Sequence, residues 1–215
     1  MYIPAHFAEQ RPPALQALLR AHPLATLVVT QDDAFVANHI PLMHVADTSA
    51  HGVLRGHVAR ANPLWRALGN GTPALAVFHG ADAYVSPSLY PSKATSGKVV
   101  PTWNYAVVHV HGRLRAIDDS AWLRQLVITL TDWQEGARRV PWQVTDAPAD
   151  YIDDMLRAIV GIELEIERIE GKFKLSQNRT ADDRDGVITG LSDTPAAAVA
   201  DMMTALDVDR AAGRT

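Results

Sequence analysis

The chain has 215 residues, 47% hydrophobic and 20% charged, with a formal net charge of -4 and no cysteine. These values exclude global disorder, disulfides, thiolate metal centres, iron–sulfur clusters and a cysteine nucleophile. The acidic balance has the wrong sign for a generic binder of phosphate backbones. No apolar run approaches the ~18 residues of a membrane span. The N-terminal MYIPAHFAEQRPPA lacks the cationic and apolar regions of a signal peptide, so the chain reads as soluble and cytoplasmic.

Pro12 and Pro13 open a helix in which Leu15, Leu18 and Leu19 recur at helical spacing, and His22-Pro23 ends it. Residues 24–30 and 35–42 read as two strands joined by the turn-forming Asp32-Asp33, a hairpin. Residues 52–58 make a third strand. Asn62 caps a short helix with Pro63 in its first turn, and Gly69-Asn70-Gly71 stops it. Residues 73–79 and 83–85 read as two further strands, and 87–97 as a mobile loop. Residues 102–117 alternate Val108, Val110 and Gly112 with His109, His111 and Arg113, a long strand with one polar face. Asp118 or Asp119 starts a strong amphipathic helix carrying Trp122, Leu126, Leu130 and Trp133. A second helix covers 149–158. Ile162, Leu164 and Ile166 then alternate with Glu163, Glu165 and Glu167, a half-exposed strand whose glutamates form a solvated acidic edge. A terminal helix through Met202, Met203 and Leu206 precedes a tail predicted to be disordered. Strands come mostly in succession rather than one-for-one with helices. The expected fold is mainly β with peripheral helices, an antiparallel barrel, closed or split. Its domain covers 1–191, with a helix and tail over 192–215.

Nine histidines invite a metal site, but their spacing matches neither HExxH nor a facial triad. No serine sits in a G-x-S-x-G elbow, and neither glycine-rich phosphate loop is present. Two segments look unlike scaffold. Pro101-Thr102-Trp103-Asn104-Tyr105 sets a large aromatic, an amide and a hydroxyl where a loop enters the long strand. KFKLSQNR, residues 172–179, packs four strongly polar side-chain types behind a strand. With Arg55-Gly56-His57 and Ala61-Asn62-Pro63 they suit an anionic, aromatic, hydrogen-bonding ligand, a profile that flavin mononucleotide (FMN) has.

The same stretches resemble the PaiB family, FMN-binding negative transcriptional regulators. The match runs through Met1-Tyr2-Ile3-Pro4, His39-Ile40-Pro41-Leu42, Gly56-His57-Val58-Ala59, Asn62-Pro63, Trp65 and Ala83-Tyr84-Val85-Ser86. It continues through PTWNY (101–105), Gly161-Ile162 and Lys174-Leu175-Ser176-Gln177-Asn178-Arg179. The resemblance implies a split β-barrel of the FMN-binding type, related to pyridoxamine-phosphate oxidase and flavin-reductase-like barrels. It also implies a homodimer with flavin at the interface. By position, Asn38, His39, Ile40, Pro41 and Leu42 would offer backbone groups to the ring edge. Arg55, Gly56, His57, Ala61 and Asn62 would lie near the phosphate, where a helix start favours an anion. Thr102, Trp103 and Asn104 would border the ring, and Lys174, Gln177 and Arg179 would complete or support the pocket. The implied role is regulation through flavin binding rather than direct DNA reading. The alternative is a flavin-dependent oxidoreductase of unknown substrate, with His57 or Tyr105 as candidate catalytic groups.

Overall fold

The computed structural model describes residues 1–47, 49–69 and 71–211, with side chains described to 209. Helix α1 (Pro12–Ala21) and the hairpin β2 (Leu24–Gln31) and β3 (Ala34–Pro41) follow the short strand β1 (Ala8–Glu9). The hairpin turn holds Asp32 at φ 47° and Asp33 at φ 60°. Two positive φ values match the twist of the strands they join, and Asp tolerates that region.

Strands β4 (Met43–Val45), β5 (Val53–Ala59), β6 (Thr72–Val85), β7 (Thr102–Ile117) and β8 (Ile159–Lys174) complete the sheet. Its order is β3-β2-β6-β7-β8-β5-β4, with β1 on β8. The registered pairs β1–β8, β2–β3, β2–β6, β4–β5 and β5–β8 are antiparallel. Helices α2 (Ser92–Ser96), α3 (Ser120–Glu135), α4 (Ala149–Arg157), α5 (Ala181–Ser192) and α6 (Ala197–Ala211) lie between and after the strands.

The chain divides into two compact units. The first comprises Met1–Ala21, His79–His109 and Glu170–Thr215; the second comprises His22–Phe78 and Val110–Ile169. The core of the first is built on Leu18, Leu19, Ala106, Leu175, Val187, Val199 and Met203, all buried. The second buries Leu27, Leu54, Phe78, Ile162 and Leu164. In that unit Leu123, Val144, Ile152 and Leu156 form a cluster under α3 and α4.

Four expectations change. Residues 72–85 form one strand rather than two, because a side chain at Gly80 would press within 3.2 Å of Leu18 and Ala106. The glycine admits close packing there instead of breaking the strand. Residues 87–97 are a folded segment, a 3-10 turn (Pro87–Leu89) followed by α2, not a featureless loop. Buried Asp183 fixes it by accepting from the Ser92 amide at 3.0 Å and the Ser92 hydroxyl at 2.8 Å. Helix α5 was not foreseen. Thr180 caps it, its hydroxyl accepting from the Asp183 amide, but the helix lacks an apolar stripe that sequence could reveal. Finally, Glu163 is not part of a solvated edge. It is 4% exposed, while Glu165 and Glu167 are exposed as expected. The expected tail beyond 211 and the Asn70 turn position lie outside the described residues.

Candidate functional site

In the second unit, β3 ends the strand order, so among the described residues no strand pairs with its outer edge. Asn38, His39, Ile40 and Pro41 lie on that strand, and Leu42 follows it, buried. Asn62 is the anchor here. Its Oδ1 accepts from the Leu64 amide at 2.9 Å and its Nδ2 donates to Asn38 Oδ1 at 2.8 Å. One side chain thus caps the 3-10 turn Pro63–Ala67 and ties it to β3. Ala61, beside it, is exposed. Gly56 serves packing, since a Cβ there would stand 2.6 Å from the Pro41 carbonyl.

The β5–β8 register sets Arg55 opposite Glu163 and His57 opposite Gly161, all on one face. Trp122 of α3 covers that face, occupying the space a Gly161 side chain would need. Arg55 Nε donates to one Glu163 oxygen at 2.7 Å, and Arg115 Nε to the other at 3.0 Å. Arg55 also stacks on Trp122, 5.8 Å from the ring centre. These residues, with Leu68 and Ile117, line a cavity of about 450 Å³. Beside them the His57 Nδ1 is buried with no partner among the described residues. Burial pushes the His57 pKa below its ordinary value, so the ring is held neutral. Arg60 is likewise committed, to Asp118 at 2.6 Å.

In the first unit, the two segments singled out in the sequence bond directly to each other. Lys174 Nζ donates to Thr102 Oγ1 at 2.7 Å and to the Trp103 carbonyl. Asn104 is fully buried, its Nδ2 donating to Ser176 Oγ at 2.9 Å while its Oδ1 accepts from the same hydroxyl at 3.2 Å. Gln177 is spent on its own turn, accepting from the Leu175 amide at 2.6 Å and donating to the Phe173 carbonyl. That closure brackets Ser176, a non-glycine residue at φ 60°. Asn104 thus joins β7 to the turn after β8, and Gln177 holds that turn closed. Trp103 faces outward, 53% exposed, with Tyr84 edge-on at 6.3 Å. Arg179 lies on the Tyr90 ring at 4.8 Å.

Sequence reasoning left Lys172 out of the candidate set. Its ammonium sits over Tyr105 at 5.3 Å and Tyr2 at 5.8 Å. The available signal was its i, i+2 spacing from Lys174, which becomes visible once both are placed on one strand. The polar composition of 172–179 masks this pattern, for Phe173, Leu175 and Ser176 are buried.

Residues 1–168 match the family described as "Putative FMN-binding domain". The protein "Protease synthase and sporulation protein PAI 2" of Bacillus subtilis is 31% identical, over 89% of each chain. The chain belongs to the PaiB family. Another relative, "Uncharacterized protein AN0679" of Emericella nidulans, is 36% identical over 88% of this chain and 90% of its own length. Among solved structures, the "FAD and Heme binding protein from Mycobacterium smegmatis" superposes with a TM-score of 0.58 at 21% identity, covering 83% of this chain and 78% of that one. At that identity the likeness speaks for the fold. This PaiB-family chain has the antiparallel split β-barrel fold of flavin-binding proteins, as the family resemblance implied. Among the described residues no helix is long and apolar enough to cross a membrane.

Proposed function

We propose that this protein binds FMN as a homodimer and acts as a negative regulator of transcription through that binding, without reading DNA directly. The observation that carries the flavin reading is the family match over residues 1–168. The chemistry of the side chains is compatible with it. The first unit offers an exposed aromatic pair and unneutralised cations; the second offers an open strand edge and a capped turn. Each unit carries its own set of candidate flavin contacts: Asn38–Leu42, Arg55–His57, Ala61 and Asn62 in the second, and Thr102, Trp103, Lys174 and Arg179 in the first, where Asn104 and Gln177 hold them in place.

When bound, the flavin ring supplies electron or hydride transfer. What this chain contributes is binding and orientation. Trp103 presents an apolar face, and Lys174 fixes the backbone that carries it. His57 is a weak candidate for proton transfer, because its buried Nδ1 has nothing to exchange with among the described residues.

The test is a titration of purified protein with FMN, followed by the flavin absorbance band, flavin fluorescence and thermal stability. A spectral shift with stoichiometric saturation and a raised melting temperature is expected. A protein that stays colourless and shows no thermal shift overturns the reading. The regulatory half is tested separately, by measuring transcript levels with the protein present and absent and with Trp103→Ala in its place. Unchanged transcripts would remove it.

A further inference from the structure

We propose that Lys172, Lys174 and Arg179 form the seat for a phosphate monoester, and that the ligand's flat ring lies on the adjacent Trp103. The proposal deepens the flavin reading and rests on it for the identity of the ligand, but the seat can be tested without a flavin.

The geometry begins with strand period. Lys172 and Lys174 point to one side of β8 while Gly171 and Phe173 are buried on the other. The turn after β8 then reverses the chain. Gln177 closes it with its own amide, and the Arg179 amide donates to the Ser176 carbonyl at 3.0 Å. That reversal brings Arg179 near enough for its charge, with that of Lys172, to lower the pKa of Lys174, after burial as the main cause.

Each of the three cations is held by an aromatic face or a neutral oxygen. Lys172 sits over Tyr2 and Tyr105, Lys174 lies 5.8 Å from the Phe7 ring centre, and Arg179 rests on Tyr90. No carboxylate pairs with any of them among the described residues. Many of the other cations do have a carboxylate partner. Arg55 and Arg115 share Glu163, Arg60 takes Asp118, Arg113 takes Glu167, and Arg184 takes Asp207. In a protein with 24 acidic against 20 basic residues, a cluster of three cations without an acid is an unfilled demand for an anion.

A dianionic phosphate monoester fits this demand better than a carboxylate. It offsets two of the charges, and its three terminal oxygens can accept from the Arg179 fork and both ammonium groups. The ring half of the ligand follows from Trp103, whose exposed face is next to the backbone that Lys174 grips. Sequence reasoning put the phosphate near Arg55 and Asn62. Fewer free groups remain there: Arg55 and Arg115 share Glu163, and the Asn62 side chain is engaged by Asn38 and Leu64.

The experiment compares FMN with riboflavin, which lacks the phosphate, by fluorescence titration of the full chain. The deciding variant is the double substitution K172Q/R179Q, which removes no side-chain hydrogen bond seen among the described residues; Lys174 also ties Thr102 and Trp103, so K174Q is secondary. The wild type should prefer FMN by about a hundredfold. The double variant should lose at least tenfold in FMN affinity and keep riboflavin affinity within about twofold, while R60Q keeps the full preference. An FMN preference untouched in K172Q/R179Q, or lost in R60Q, overturns the seat and leaves the flavin reading standing. If the wild type binds neither flavin, the flavin reading fails and inorganic phosphate becomes the probe. Phosphate that stabilises the wild type against heat but not the double variant supports the seat. An equal response of the two proteins, or no response in either, overturns it.

Discussion

Single buried polar atoms carry much of what is specific in this protein. Asn104 and Ser176 are reciprocal partners in a buried position, and Ser176 also accepts the strain of a positive φ. Removing one partner leaves the other's hydrogen-bonding group unsatisfied, at about 1–3 kcal/mol. We expect Asn104→Ala to lower unfolding free energy by that amount in urea denaturation; a loss below about 0.5 kcal/mol would show that the pair is dispensable. His57 gives a pH signature. Its folded-state pKa is lowered by burial, so the unfolded chain binds the proton more readily, and stability is complete above the ordinary histidine pKa and falls as pH drops below it. The slope cannot exceed about 1.4 kcal/mol per pH unit for one group. Thermal melts between pH 7.5 and 5 should show wild type losing more stability than His57→Gln; parallel curves would exclude the effect. Both residues stand out in the sequence as candidate ligand contacts. Their burial, which decides their roles, comes from neighbours distant in sequence.

At the scale of elements, strand packing rests on positions where no side chain fits. A Cβ on Gly112 of β7 would lie 1.9 Å from the Glu165 carbonyl of β8, and one on Gly161 would meet the Trp122 ring at 2.2 Å. Gly69 has nothing within 4 Å of the same point. Overpacking costs about 1–3 kcal/mol, and more when the obstacle is backbone. Gly112→Ala should therefore destabilise by at least about 3 kcal/mol or fail to fold, and Gly69→Ala should be nearly neutral by the same denaturation assay. Equal effects would refute the close approach. The period-2 run over 102–117 made β7 legible in full, and Asp119 marked the start of α3, where its side chain accepts from the Trp122 amide at 2.7 Å. Helix α5 was illegible because its buried residues include Asp183 and Arg184, whose burial depends on Ser92 and Asp207.

At the scale of the whole molecule, charge and assembly matter. The net charge of -4 opposes a nonspecific hold on nucleic acid. In a mobility-shift assay at physiological salt the protein should leave DNA unretarded; sharp, sequence-specific retention would reverse the indirect-regulation reading. The homodimer is checked by sedimentation velocity with and without FMN. A single species at twice the chain mass is expected, and a monomer that stays monomeric with FMN would remove the interface from the proposal.

By itself the sequence determined the class of fold and the family. Alternation in the strands, proline and aspartate punctuation and the PTWNY and KLSQNR segments are local signals, and local signals survive without coordinates. Tertiary structure decided which charges are available. Arg55 and Lys174 look alike in a sequence, as cations in a conspicuous segment. The β5–β8 register gives Arg55 a buried glutamate 108 positions away, while β8 and the turn after it gather Lys172, Lys174 and Arg179 with no paired carboxylate among the described residues. A charge is a binding group only when its neutralisation is still owed, and that depends on partners brought together by folding.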